Sequence, residues 1–330
     1  MRTKAELLDA LKQAGVEHCL LAAPEGNTAP AGPATDGWAL VVPALAARVL
    51  GAGVGDSNAF WVSPELERCL RGQDWNTGGE RTWLAPELGP GGFFGAEEKD
   101  WAVPPALDPG AYRLLESGPS AARCRTECRL RSADGREYRL ELERRVQIRD
   151  ARSLSPEARG VDLLIRHSLR NAGRQPIPGR AGLWSILQVP SLPEGSVLLP
   201  DAPYRQRFGE LPAGWLTREA GSQALRTAPA RRWKVGQPPS GPEAVIAHHR
   251  PAPGGQVRIT MRCAASAAGP YLDGGDVLQA YNSPLSGEEA FSELECHAPA
   301  PTLAPAPAQP GFAPGQESIQ EVRIEVRYER

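Results

Sequence analysis

The chain has 330 residues, and 41% of them are hydrophobic, which is enough to build a sizeable core and excludes a disordered chain. Its 37 basic and 39 acidic residues give a net charge of −2. Because no concentrated basic stripe is present, we expect no nucleic-acid partner. The 33 prolines and 35 glycines are scattered along the whole chain and predict many short elements joined by turns.

Residues 1–20 are predicted to form a short helix and a lead-in to one large domain. Thr3 and Glu6 have the spacing of a capping box, and Gly15 can end the helix. The apolar residues between these signals form one stripe: Leu7, Leu8, Ala10 and Leu11. This segment lacks the features of a signal peptide, and no later segment is apolar for long enough to span a membrane. We therefore expect a cytoplasmic protein with no membrane partner.

Alternating apolar and charged residues predict a β-hairpin in the middle of the chain. Residues 123–131 and 138–149 alternate with a period of two, and Asp134-Gly135 supplies a tight turn between them. Three later segments alternate in the same way: residues 161–169, 257–263 and 322–328. Such alternation is typical of antiparallel sheets with one solvated face.

These elements predict an all-β fold, a large antiparallel β-sandwich with a short N-terminal helix. We expect residues 21–330 to form a single domain. Within it, the Pro/Ala-rich segment at residues 299–315 is predicted to be an extended surface loop, because proline does not supply the donors of a strand ladder.

Three segments together resemble the galactose mutarotase-like (aldose 1-epimerase-like) superfamily. The first reads GGERTWLAPELG at residues 78–89 and is followed by GFF at 92–94 and DWAVP at 100–104. The second, residues 171–190, begins with an Asn-x-Gly turn and ends with LWSILQ and VP. The third has ELE at 293–295 and PGQ at 314–316. The resemblance implies a twisted β-sandwich that binds a sugar on a concave sheet face.

The resemblance also implies a catalytic role for Glu295. In active mutarotases a glutamate removes the proton of the anomeric hydroxyl and a histidine protonates the ring oxygen. Glu295 is similar to that base. The two histidines of the family are not matched, because Gly91 stands at the first place and the strand with Trp184 and Gln188 at the second. The general acid is therefore not identified.

The acidic strand has its own chemical interest. Glu293, Glu295 and His297 are spaced by two residues, so that in a strand their side chains share one face. Two carboxylates and an imidazole on one face are suited to acid–base catalysis, and we take these three as the catalytic candidates. The alternative is an ordinary solvated strand face.

The segment with the double glycine provides the first substrate-binding candidates. Arg81 lies between Glu80 and Trp83, and Glu87 follows. A guanidinium group binds hydroxyls, and an aromatic face stacks on a pyranose ring. The alternative is a surface ion pair beside a core tryptophan. Further substrate-binding candidates are polar or aromatic residues in other segments: Asn58, Trp184, Gln188, Asp276 and Asn282.

No metal and no cofactor is expected. Cys124 and Cys128 have the wrong spacing for a zinc site and no second pair follows. His248 and His249 are adjacent, so in a strand they point to opposite faces. His167 lies on the apolar side of its strand, where a core histidine is the favoured interpretation.

Three functions stay open at this point. The first is an epimerase of the mutarotase type with Glu295 as base, and the second is a non-catalytic sugar-binding protein on the same scaffold. The third, more remote, is a relative of polysaccharide lyases or glycoside hydrolases. In each case the expected partner is a carbohydrate or small sugar, and the oligomeric state is not predicted.

Overall fold

The structure of the protein is a computed structural model, which describes residues 1–23, 36–149, 159–174, 176, 180–219, 221–266, 269–300 and 312–329. Within these residues there are two α-helices, α1 (Lys4–Gln13) and α2 (Leu66–Leu70). The strands β1 to β20 are, in chain order, Cys19–Ala22, Gly37–Val42, Arg48–Val54, Ser57–Asn58, Glu80–Ala85, Arg113–Ser117, Ala121–Arg131, Glu137–Arg149, Arg159–Asn171, Gly182–Pro190, Ser196–Pro200, Arg205–Gly209, Leu216–Glu219, Ser222–Arg226, Trp233–Gln237, Glu243–Ala252, Gly255–Ala264, Leu278–Asn282, Phe291–His297 and Glu317–Glu329.

The strands form two antiparallel sheets. The first sheet has the order β1-β2-β3-β5-β10-β19-β18-β15-β12, with β4 paired to β3. The second has the order β13-β14-β11-β16-β17-β20-β9-β8-β7-β6. Their facing sides supply one apolar core, which includes Ile165, Leu187, Ile259 and Leu294, all fully buried. The predicted all-β sandwich is therefore confirmed, and the apolar core explains why the sheets pack face to face.

The predicted hairpin is formed by β7 and β8. Cys128 is opposite Leu140 and Leu130 is opposite Tyr138, so the apolar residues of both strands share the inner face. Arg144 also points to this inner face and is buried, although charged residues otherwise occupy the outer face of β8.

The predicted N-terminal helix is also confirmed. The Thr3 hydroxyl accepts from the Glu6 backbone N–H at 3.3 Å, and the Thr3 N–H donates to the Glu6 carboxylate at 2.7 Å. The buried side of the helix, with Leu7 and Leu11, packs on Leu40 and Leu50. These residues belong to the outer face of the first sheet, so the helix covers the β2–β3 end of that face. The rest of the face carries the candidate site.

The six cysteines are all buried and form no disulfide. No helix in the described parts of the chain is long and apolar enough to cross a membrane. Most of the predicted Pro/Ala-rich loop, residues 301–311, lies outside the described residues. The assignment of residues 21–330 to a single domain stays a prediction.

Candidate functional site

Strand register places the polar residues of the first sheet in rows on its outer face. In antiparallel pairs, directly opposed residues project to the same face. One such row crosses β10, β19, β18, β15 and β12 and consists of Gln188, Glu293, Tyr281, Lys234 and Phe208. Residues that are up to 105 positions apart in sequence are thereby brought side by side.

The neighbouring rows complete the same surface. Arg81 on β5 lies opposite Ile186, which lies opposite Glu295. Trp83 lies opposite Trp184, which lies opposite His297. The face therefore combines two glutamates, one arginine, one lysine and several aromatic rings.

A cavity of about 430 Å³ lies over these rows. Its volume is in the range of small-molecule sites. Five of the residues predicted from the sequence line it: Arg81, Trp83, Glu87, Trp184 and Glu293. The remaining lining residues are Trp75, Asn76, Leu88, Glu98, Trp101, Phe208, Arg232, Lys234, Tyr281, Ser283, Pro284, Leu285 and Phe291.

Arg81 and Glu293 form the first ion pair of the cavity floor. Arg81 Nη2 donates to Glu293 Oε1 at 2.8 Å, and the same oxygen accepts from Gln188 Nε2 at 3.0 Å. The guanidinium also lies over the Trp83 ring, 4.2 Å from its centroid, which is a cation–π distance. Within the described residues, Arg81 Nη1 has no hydrogen-bond partner although it is buried.

A second layer behind the floor holds Arg81 and Trp83 in place. Both carboxylate oxygens of Asp108 accept from Arg48 Nη2 at 2.6 Å, and Trp83 Nε1 donates to the same carboxylate at 3.0 Å. Arg81 Nε lies 3.7 Å from Asp108 Oδ2. These side chains are almost fully buried, so their positions are fixed by packing as well as by charge.

Lys234 is the centre of the second ionic group. Its Nζ lies 3.1 Å from Glu295 Oε2 and 3.2 Å from Glu87 Oε2, and it sits 4.7 Å from the centroid of the Trp184 ring. Burial alone lowers the pKa of Lys234, but Glu295, Glu87 and Glu293 together raise it above its ordinary value. Lys234 is therefore a cation at neutral pH.

Glu295 is fully buried beneath this group. Trp184 Nε1 donates to Glu295 Oε2 at 3.0 Å. Burial raises the pKa of Glu295 to about 8, against the opposing effect of Lys234, and the charges of Glu293 and Glu87 add to the increase. The alternative of a solvated strand face is wrong, because every residue of β19 is buried.

Two pairs of half-buried aromatic rings form opposite parts of the cavity wall. Trp75 and Trp101 come from loops that flank β5, and their ring centroids are 5.9 Å apart. Phe208 and Tyr281 come from β12 and β18, at 5.8 Å. Exposed aromatic surface over a polar floor suits a ligand with both apolar and polar sides.

Glu80 does not reach this cavity. It precedes Arg81 on β5, so its side chain points to the opposite face, into the space between the sheets. There Glu80 pairs with Arg144 and accepts from Ser185 Oγ at 2.9 Å. The sequence-based assignment of Glu80 to substrate binding therefore does not fit its position.

Three further candidates make internal contacts instead of lining the cavity. Asn58 bonds to the backbone of Phe60 in a local turn. Asp276 pairs with Arg207, at 2.6 Å from its Nε. The Asn282 amide bonds backbone carbonyls of the 228–231 segment, which it fastens to β18. Their buried hydrogen bonds explain their residue types without a ligand.

Two of the buried histidines, His297 and His167, do not have the surroundings of a catalytic acid. His297 is 1% exposed, stacks on Trp184 with ring centroids 5.1 Å apart, and does not line the cavity. Burial holds its pKa well below the usual range, so the ring is neutral. His167 is a fully buried core residue that shares a hydrogen bond with Thr82 at 2.6 Å, as predicted from its apolar surroundings.

Sequence reasoning missed much of the cavity wall. Lys234, in the segment RRWKVGQ, stands between the buried Trp233 and Val235, and this isolated charge between apolar neighbours was the available signal. Trp75 and Trp101 lie in loops, where no residue periodicity indicates which way a side chain points. Among the described residues no cluster of three or more His, Cys, Asp or Glu side chains is arranged to hold a metal ion.

Comparison with solved structures shows the fold. A putative aldose 1-epimerase from Escherichia coli K12 is 11% identical with a TM-score of 0.55, covering 95% of this chain and 100% of that one. A galactose mutarotase-like protein from Lactobacillus casei is 12% identical with a TM-score of 0.54, covering 88% and 97%. An aldose epimerase homologue from C. elegans is 11% identical with a TM-score of 0.52, covering 96% and 100%.

The likeness to these structures extends along nearly the whole chain and confirms the predicted galactose mutarotase-like fold. No curated protein sequence matches the chain. The sequence profile of a family of unknown function, DUF6786, matches residues 34–252, which is more than half of the chain. The protein therefore belongs to the DUF6786 family.

Proposed function

We propose that the cavity on the outer face of the first sheet binds a carbohydrate. The observation that carries this proposal is the combination of half-buried aromatic walls with a floor whose polar atoms are only partly satisfied. Arg81 Nη1 is a buried donor without a partner among the described residues, and the Glu293 carboxylate beside it supplies an acceptor that lines the cavity.

A sugar matches this combination for a chemical reason. Each hydroxyl both donates and accepts hydrogen bonds, so one ligand can serve an arginine donor and a carboxylate acceptor. The C–H faces of a pyranose ring are apolar and pack on aromatic rings such as Trp75 and Tyr281. A purely apolar ligand would leave the polar atoms of the floor without hydrogen-bond partners, which is unfavourable in a buried site.

Catalysis of the aldose 1-epimerase type, with Glu295 as general base, is the second candidate. The observation in its favour is the raised pKa of Glu295, which at about 8 lies near the operating range of a general base. Against it, Glu295 does not line the cavity and is covered by Lys234 and Trp184. No histidine lines the cavity within the described residues. Binding is therefore favoured over catalysis.

One experiment tests both candidates. Proton NMR of anomeric exchange in a panel of aldoses is compared for the wild type and Glu295→Gln, and the melting temperature is measured with each sugar. We expect melting-temperature shifts with exchange at the buffer rate. Exchange faster than buffer that is lost in the variant would instead support the epimerase. If no sugar gives either signal, the carbohydrate proposal is wrong.

A further inference from the structure

The polarity of the cavity changes with depth. At the floor, Arg81, Lys234 and Glu293 are buried charges paired with one another or with neighbouring carboxylates. At the mouth, the lining includes half-buried Leu88 and the exposed Pro284.

Leu285 is the most informative residue of this mouth. It is 39% exposed and lines the cavity. In the described part of the chain only three other large hydrophobic residues are exposed: Met1, Leu20 and Ile319. None of these three lines the cavity. We call Leu88, Pro284 and Leu285 the apolar rim.

The apolar rim is held in a fixed position. The Leu285 carbonyl accepts from the Ala230 N–H at 2.7 Å, and Ser283 Oγ accepts from the Phe291 N–H at 3.1 Å. Arg232 forms an ion pair with Glu98, which ties the segment beside Ala230 to the loop that follows Leu88. The charges of Arg232 and Glu98 near the mouth thereby neutralise each other, and the apolar rim contributes apolar surface beside them.

We propose that the ligand is a glycoside with an apolar aglycone, an inference that rests on the proposed carbohydrate function. The sugar occupies the polar floor, and the aglycone covers the apolar rim. A free sugar whose outer edge is a hydroxyl would leave Leu285 in water, whereas an apolar aglycone removes both its own surface and that of the rim from water. The ligand would therefore have one hydroxylated end and one apolar end, as the cavity does.

The test is isothermal titration calorimetry with matched pairs of probes. Methyl and phenyl glycosides of glucose, galactose and mannose, in both anomers, are titrated alongside the free sugars and phenol. For the sugar that binds, we expect the phenyl glycoside to bind about tenfold more tightly than the methyl glycoside. In Leu285→Ser this preference should fall to about twofold or less, because the phenyl glycoside should lose more affinity than the methyl glycoside.

Leu20→Ser is the matched control, because Leu20 is exposed to a similar extent, 43%, and lies on the edge strand β1 away from the cavity. It should retain the full preference. Leu88→Ser is the second rim variant if Leu285→Ser does not fold. Equal binding of methyl and phenyl glycosides to the wild type would overturn the aglycone inference and leave the carbohydrate proposal standing. Phenol binding as tightly as the phenyl glycosides would also overturn it, and the absence of binding by every sugar and glycoside would overturn both.

Discussion

Two buried charge clusters lie back to back on the first sheet. The inner cluster, between the sheets, centres on Glu80 and Arg144, and the outer cluster, on the cavity floor, centres on Arg81, Glu293 and Lys234. Glu80 and Arg81 are consecutive residues of one strand, so a single step along the backbone separates a structural contact from a candidate binding contact.

The two clusters differ in whether a ligand can reach their unsatisfied polar atoms. In the inner cluster, Glu80 uses both carboxylate oxygens, one for Arg144 and one for Ser185, but Arg144 Nε is buried without a partner within the described residues. In the outer cluster, Arg81 Nη1 and Glu295 Oε1 likewise have no partner within the described residues. A buried group that is left unsatisfied costs stability, and proteins retain such groups where a ligand or a reaction uses them. Arg81 lines the cavity whereas Arg144 lies between the sheets, so access to the cavity, more than satisfaction, burial or charge, separates the two clusters.

The largest expected effect is the loss of the inner pair. Glu80→Ala leaves the Arg144 guanidinium buried without its carboxylate, so we expect the free energy of unfolding to fall by about 3–5 kcal/mol. Urea denaturation measures this loss. The double variant Glu80→Leu with Arg144→Met should recover most of it, because no charge is then left unpaired. Glu137→Ala, which breaks an exposed pair with Arg131, is the control and should cause no measurable loss. A stable Glu80→Ala protein would contradict the structural role.

The second effect concerns binding. Arg81→Met removes the charged donor of the cavity floor and keeps an unbranched side chain, so the affinity for the sugar should fall by about 2 kcal/mol, roughly 30-fold. Arg81→Lys keeps the charge but not the planar fork and should recover only part of the affinity. Calorimetric titration gives both values. Unchanged affinity in Arg81→Met would remove the outer cluster from the binding site.

The third effect is a pH dependence caused by Glu295. Its pKa is raised from 4.5 to about 8, so between these values the folded state holds a proton that the unfolded state has released. The contribution of Glu295 to the unfolding free energy should therefore decrease as pH rises from 4.5 towards 8, by roughly 1 kcal/mol per pH unit for one proton. The raised pKa of Lys234 contributes no change in this window, because its stabilising effect is fully present below its unfolded pKa near 10.5.

Denaturant midpoints at pH 6.5, 7.25 and 8 in wild type and Glu295→Gln check this slope. The range avoids the region below pH 6.5 in which the lowered pKa values of buried His167, His248 and His297 make stability rise with pH. The variant should show a flatter profile than the wild type. Parallel profiles would mean that Glu295 is ionised throughout and that Lys234 determines its charge.

The sequence predicts the second sheet better than the first. Strands β7, β8 and β17 have one wet face, so their alternation is visible in the residues. Strands β5 and β19 are buried on both faces, which leaves no alternation between solvent and core to read. That Glu293 and Glu295 share one face of β19 was predictable from the two-residue period of a strand.

The partners of those glutamates were not predictable. Lys234 meets Glu295 only because β15 pairs with β18 and β18 with β19, and this register is set by long-range packing. The face of β5 to which Glu80 points was not predictable either. Its neighbours Gly79 and Arg81 are not apolar, so no apolar residue beside Glu80 marks the core face. The resemblance to a known family predicted the fold of these buried strands, but it did not predict which side chains contact each other.

The smallest expected effects compare the inner and outer clusters on a single strand, β10. Ser185 and Gln188 both lie on β10, but Ser185 donates inward to Glu80 and Gln188 donates outward to Glu293. Ser185→Ala should lower the free energy of unfolding by about 1 kcal/mol and leave sugar affinity unchanged. Gln188→Leu should weaken sugar binding about threefold with little loss of stability, because it also removes the unpartnered Oε1. Denaturation and calorimetric titration of each variant measure the free energy of unfolding and the sugar affinity. If the two variants change these quantities in the same proportion, the inner and outer clusters form one energetic network.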